Sequence, residues 1–233
     1  MGTPQTDRGH GPHRQGGAER VKYGLLGALE ARRGDDLIEL GGFKQRSLLA
    51  LLLINANKVV STDTIIDEIW GSDGTSRQNA LWVGVSRLRA ALEPDRPARS
   101  DGTILLTQSP GYRLSVEKAD TDAGRFESLA SEGRSLLEHD AGASSLVLSE
   151  ALALWRGHAL EEFTFEPFAA AEIERLEELR LGAVEDRIDA DLRSGRSREL
   201  VGELESLVRL HPFRQRLAAH QMLALHRSCL LYT

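Results

Sequence analysis

The stretch Arg77-Gln-Asn-Ala-Leu-Trp-Val-Gly-Val-Ser-Arg-Leu-Arg-Ala-Ala-Leu92 buries its large apolar side chains together only as a helix. At about 100° per residue, Leu81, Val85, Leu88 and Leu92 fall in one narrow stripe. Asn79, Val83, Ser86 and Arg87 lie opposite, with Trp82 and Arg89 on one flank. An amide, a methyl-bearing side chain, a hydroxyl and a guanidinium on one outer face are the groups that read base edges and hold phosphates in a major groove. An ordinary amphipathic helix with solvated arginines has the same pattern, so its neighbours must decide.

Downstream, Thr103-Ile-Leu-Leu-Thr-Gln-Ser-Pro-Gly-Tyr-Arg-Leu-Ser-Val116 sets two apolar, partly β-branched runs around Ser109-Pro110-Gly111, which predicts a hairpin. Upstream, Phe43 to Asn55 predicts a helix with a strongly apolar face. Val59 and Val60 then lead into a short helix, Asp63 to Trp70, capped by Ser61 or Thr62 and stopped by Gly71. Ahead of these, Val21 to Glu30 and Leu37 to Leu40 predict strands around a turn at Arg32 to Asp36. Strands, three helices and a hairpin in this order make a winged helix.

The segments Lys44-Gln-Arg-Ser-Leu-Leu-Ala-Leu-Leu-Leu53, Ile65-Ile-Asp-Glu-Ile-Trp-Gly71, Val83-Gly-Val-Ser-Arg-Leu-Arg89 and Pro110-Gly-Tyr-Arg113 resemble the OmpR-type winged-helix domain, in the version found in the Streptomyces antibiotic regulatory protein (SARP) family. In the second half, Ala151-Leu-Ala-Leu-Trp-Arg-Gly157, Pro167-Phe-Ala-Ala-Ala-Glu172 and His211-Pro-Phe-Arg-Gln-Arg-Leu217 resemble that family's bacterial transcriptional activation domain. The resemblance implies that Gly84, Ser86, Arg87 and Arg89 face DNA. Helical position agrees for Ser86 and Arg87 and puts Arg89 at the edge, suited to a phosphate. Arg87 is the candidate base reader, since a guanidinium pairs bidentately with guanine, and a phosphate contact is its alternative. Arg77 and Asn79 sit near the helix N-terminus, where the dipole favours phosphate. Gln108 and Arg113 are the candidates in the wing.

The formal charge of −6 argues against nucleic acid until it is divided along the chain. Residues 22–116 hold twelve Lys and Arg against eleven Asp and Glu, whereas residues 117–233 hold fourteen against twenty-two. The acidity belongs to the second half. A near-neutral first half predicts modest non-specific affinity, so dimerisation or cooperative loading would be needed for tight binding. Residues 1–20, rich in Gly, Pro, Gln and Arg, are predicted to be a disordered tail with no secretory signal. The single cysteine, Cys229, suits a reducing cytoplasm, and no apolar run is long enough to span a bilayer.

A winged-helix domain is therefore expected at 21–116. An all-helical domain at 122–228 follows, with helices from Asp122 to about His139, from Ser144 or Ser145 to Gly157, from Pro167 to about Arg193, from Ser197 to His211 and from Pro212 onward. The fold class is mainly α with small β-sheets, the second domain resembling a tetratricopeptide-like array. The family resemblance implies a further helical hairpin beyond Ser228. Residues 229–233 depart from the family pattern, and a truncated C-terminus with uncovered apolar surface is expected there.

No GxGxxG, Walker A, HExxH or GxSxG pattern occurs. The seven histidines are scattered and have one cysteine for company, so neither catalysis nor a metal or other cofactor is expected. What remains is a sequence-specific DNA-binding regulator. The resemblance implies an activator that binds direct repeats of double-stranded DNA as a homodimer or tandem protomers and recruits RNA polymerase. The alternative is an interaction adaptor whose winged helix has lost DNA binding. No receiver domain is recognised ahead of Val21, so the usual aspartyl-phosphate switch is not expected within this sequence.

Overall fold

The structure is a computed structural model that describes residues 20–71, 76–96 and 102–228. The expected disordered tail, apart from Arg20, and the atypical C-terminus lie outside the described residues. Eight helices and six strands are described. Strands β1 (Val21–Gly24), β2 (Glu30–Arg33) and β3 (Asp36–Leu37) form an antiparallel sheet in the order β1-β2-β3. The sequence predicts one strand through Val21–Glu30 and a turn over Arg32 to Asp36. The chain does turn at Gly34, at positive φ, but it also reverses at Gly27, so the predicted strand is divided and Arg32 stands in β2.

Helix α1 (Phe43–Ile54) is followed by β4 (Val60–Ser61), α2 (Thr62–Trp70) and α3 (Ser76–Leu92), then by β5 (Leu105–Gln108) and β6 (Gly111–Leu114). The winged helix is present in the predicted order. Every residue of α1 from Ser47 to Leu53 is buried, because α2, α3, β6 and a helix of the second half all pack on it. Ser61 caps α2, accepting from the Thr64 N–H at 3.0 Å. Strand β4 adds a third member to the wing, pairing Val60 with Tyr112, so the sheet order is β4-β6-β5.

The second half is helical: α4 (Asp122–Leu136), α5 (Ala141–Ala153), α6 (Pro167–Arg193), α7 (Ser197–Leu210) and α8 (Gln215–Arg227). Pro167 opens α6 as expected, its missing N–H costing nothing in a first turn. Helix α5 begins earlier than its serines suggest, because Asp140 caps it by accepting from the Ala143 N–H at 2.9 Å. Ser144 and Ser145 are buried inside the helix, and Ser144 donates to the Gly133 carbonyl at 2.7 Å. Helix α5 ends at Ala153, short of Gly157, and α8 starts three residues after Pro212. Helices α4 and α5, α5 and α6, and α7 and α8 pack as successive neighbours, which gives the layered array. Among the described residues no helix is long and apolar enough to cross a membrane.

The two halves are not beads on a string. One cluster of buried side chains runs from Val21 through Leu48, Leu88 and Phe126 to Leu176 and Ala183. A second, smaller one, around Ile188, Leu204 and Leu217, holds α7 and α8 to the end of α6. At the junction the Asp122 carboxylate accepts from the Leu25 N–H at 2.7 Å and the Leu26 N–H at 3.1 Å. In return, the N–H groups of Arg156, Leu160 and Glu161 donate to the carbonyls of Leu26, Leu25 and Gly27. The backbone passes so close that a Cβ on Gly27 would lie 3.1 Å from the Arg156 Cβ and 3.4 Å from the Gly157 nitrogen.

Candidate nucleic-acid interface

Helix α3 is built as the sequence predicts. Leu81, Val85, Leu88 and Leu92 are at most 3% exposed, while Asn79, Trp82, Val83, Ser86 and Arg87 face solvent. Arg87, Ser86 and Asn79 have no hydrogen-bond or ion-pair partner among the described residues, so their polar groups are unspent. The flank carrying Asn79, Val83 and Arg87 borders a groove of about 660 Å³, closed on its other side by Gly42, Phe43, Lys44, Gln45 and Trp70.

Three of the expected contact residues are engaged within the protein. Gly84 is buried against α1, where a Cβ would come 3.2 Å from the Leu48 Cδ2, and its carbonyl accepts from the Gln45 side-chain amide at 2.7 Å. This glycine lets α1 and α3 approach closely, where the family resemblance implies a DNA-facing position. Arg89 stands at the edge of α3, half-buried, and its guanidinium is spent on the wing. Its Nε donates to the Leu105 carbonyl at 2.9 Å and its Nη2 to the Thr107 hydroxyl at 2.7 Å, and the guanidinium lies 5.9 Å from the Tyr112 ring centre. The residue ties α3 to the wing. Arg77 is half-buried and donates to the Gly71 carbonyl, closing the chain behind α2.

In the wing, Gln108 is exposed beside the Ser109–Pro110 turn. Arg113 lies in the central strand, half-buried, its Nε without a hydrogen-bond partner among the described residues. The Thr62 hydroxyl donates to the Pro110 carbonyl at 3.2 Å and so fixes the hairpin tip to the start of α2. At the other end, Asn57 occupies the left-handed region (φ 65°), which its short amide side chain tolerates. It donates through Nδ2 to the Val116 carbonyl at 2.7 Å and accepts from the Val116 N–H at 3.1 Å.

These supports were not read from the sequence. Asn57 and Glu93 carry no motif, and Gln45 lies in a family-like segment that does not indicate its partner. Asn55-Ala-Asn57 after an apolar run hints at a helix stop, and nothing points to its partner Val116. The Glu93 carboxylate accepts from the Thr103 N–H and hydroxyl, both at 2.6 Å, which anchors the wing to the end of α3. Arg46 reaches across to the second half. It pairs with both oxygens of Glu162 at 2.8 and 2.6 Å and donates to the Leu29 carbonyl at 2.5 Å.

Two family descriptions match the chain: "Transcriptional regulatory protein, C terminal" over residues 38–114, and "Bacterial transcriptional activator domain" over residues 121–229. Regulatory protein DnrI of Streptomyces peucetius is 34% identical over 213 residues, covering 89% of this chain and 78% of DnrI. The chain belongs to the SARP family of transcriptional regulators. Its relatives differ in length. Regulatory protein AfsR of Streptomyces griseus is also 34% identical, but the match covers only 21% of it. A solved structure of Mycobacterium tuberculosis EmbR, in complex with a low-affinity phosphopeptide, superposes with a TM-score of 0.83 at 30% identity. That match covers 91% of this chain and 56% of the EmbR chain. Membership favours the DNA-binding regulator over the adaptor, and it agrees with the winged helix and helical array.

Proposed function

We propose that the outer face of α3 enters the major groove of duplex DNA, with Arg87 reading a base, Val83 meeting a thymine methyl, and Asn79 and Ser86 completing the contact. Gln108 and Arg113 would approach the backbone from the wing. The observation that carries this is the contrast among the arginines. Arg77 and Arg89 are engaged within the protein, whereas Arg87 is exposed and unengaged on a helix braced from behind by Gln45 and Leu48. A protein uses such a rigid, prepositioned donor where base geometry must be matched.

In this reading tandem protomers occupy direct repeats near a promoter, and the acidic helical half contacts RNA polymerase. The near-neutral winged helix gives little non-specific affinity, which makes a second protomer the natural source of tight binding. The test is selection of bound duplexes from random DNA by the full chain, followed by titration of the recovered site. Arg87→Ala should cost about 1–3 kcal/mol on that site and relax the preference at one position. Equal affinity of parent and variant at fixed salt would remove Arg87 from the reading role.

A further inference from the structure

The flank of α3 that turns toward the wing is fixed by two side chains and left bare at a third. Trp82, Ser86, Arg89 and Glu93 share that flank, since each is three or four residues from the next. Glu93 accepts from the N–H groups of Thr103 and Ile104 at 2.6 and 3.2 Å, and one turn earlier Arg89 donates to the Leu105 carbonyl and the Thr107 hydroxyl. The bonded wing residues advance in number as α3 is followed back toward its N-terminus. Strand β5 therefore runs antiparallel to the helix, and the exposed Gln108 lies toward the turns that carry Ser86 and Trp82. Trp82 stands at the open end of this cleft, 54% exposed. Its Nε1–H has no hydrogen-bond partner among the described residues.

A single exposed aromatic side chain is ordinary on a protein surface, so its place must carry the argument. The rim of a reading helix faces a phosphate strand, and a cation is the usual side chain there. This structure withdraws its cations from that duty: Arg89 is spent on the wing and Arg77 on the Gly71 carbonyl. What reaches outward from the wing-side flank is the neutral indole. Its ring can lie on a deoxyribose while its edge N–H meets a phosphate oxygen. With two side-chain torsions on a helix, it loses little freedom when covered. Val83, the next residue, is 49% exposed and belongs to the reading face. A protein seated on Trp82 would stand in the way of the duplex, whereas DNA entering along α3 covers both residues.

We propose that Trp82 is an uncharged backbone anchor: its ring packs on a deoxyribose and its Nε1–H donates to the adjoining phosphate of the strand that passes between α3 and the wing. The assignment rests on the major-groove reading of α3 above, and it adds a residue that carries affinity without sequence preference. A neutral donor releases no counterion, so the salt dependence does not register it. The test uses the full chain with its selected duplex and with an unrelated duplex of equal length. Trp82→Ala should lower affinity for both by the same factor, about fivefold or more, with the slope of log affinity against log salt unchanged. Trp82→Phe keeps a ring without the donor and should fall between. Trp82 emission, read as the part of the parent's fluorescence that Trp82→Phe lacks, should be quenched by acrylamide in the free chain and protected in the complex.

Equal affinities of parent and Trp82→Ala, or acrylamide quenching that persists in the complex, overturn the anchor. The reading of α3 still stands in that case if Arg87→Ala loses its site preference. A loss confined to the selected duplex makes Trp82 a base reader and overturns the backbone assignment. A salt slope flattened by about one counterion assigns the loss to a displaced cation. Lowered melting temperatures in both variants assign the ring to packing, and protection in the free chain that disappears on dilution assigns it to a second copy. A parent that binds neither duplex refutes the reading of α3, and the anchor with it.

Discussion

Asp122→Ala should loosen the joint between the winged helix and the helical array more than any surface change. Among the described residues its carboxylate alone is bonded through a side chain to the Leu25 and Leu26 N–H groups, whose residues are 4% and 0% exposed. Alanine leaves both donors buried and unpaired, at about 1–3 kcal/mol each. The ion pair to Arg156 adds little, because that arginine is 37% exposed. A first-turn carboxylate on α4 adds about 0.3–1 kcal/mol through the helix dipole. The sum is about 2–7 kcal/mol, which for a chain of this size lowers the melting temperature by roughly 5–28 °C. Urea unfolding should be followed by tryptophan fluorescence and far-ultraviolet circular dichroism together. The parent should show coincident transitions and Asp122→Ala separated ones, since the joint is what couples the two halves. Asp122→Asn keeps one acceptor oxygen and should recover about half of the loss. A loss below about 1 kcal/mol with transitions still coincident would show that the shared core, not this carboxylate, holds the halves together.

Arg89→Ala should weaken binding to every DNA sequence alike, by freeing the wing, and cost about 1–2 kcal/mol of stability. Arg89→Lys should not restore it, because one ammonium cannot reproduce the paired bonds to Leu105 and Thr107; full rescue in DNA titration would contradict the brace. Gly111→Ala puts a Cβ 1.9 Å from the Val60 carbonyl oxygen, so β4 should part from β6, with the wing amides of β6 exchanging hydrogen faster than those of α1. His220 is 8% exposed, and burial, with Arg216 beside it, holds its imidazole below the ordinary value of 6.5 against the opposing pull of Asp189 and Asp186. The unfolded chain then takes up the proton first, so stability should be level above that value and fall as the pH drops from about 6.5 to 5. His220→Leu should flatten this slope in thermal melts, and an unchanged slope would place the titration elsewhere.

Local sequence pattern was enough for the order of the main helices and the wing, though not for every boundary. The 3.6-residue spacing of Leu81, Val85, Leu88 and Leu92 admits one buried face, and Ser109-Pro110-Gly111 admits a reversal, so α3 and the wing were legible from local pattern alone. The same periodicity put Asn79, Ser86 and Arg87 outside, because a residue's angle on a helix depends only on its count along the chain. It also put Arg89 at an edge and left Gly84 to the family resemblance. Whether an edge residue meets solvent or a neighbouring strand, and whether a glycine admits a ligand or another helix, depends on what lies across from it. That is a property of packing between elements far apart in sequence, and local spacing does not encode it. Tertiary structure alone therefore decided that Arg89 belongs to the wing and Gly84 to α1. It alone decided that Asp122 serves the turn after β1, 96 and 97 residues away, and that one core continues across a boundary that composition draws near residues 117–122. Polar pairs such as Arg46 with Glu162 look in sequence like any other surface charges, and they become specific only when the fold excludes water from around them.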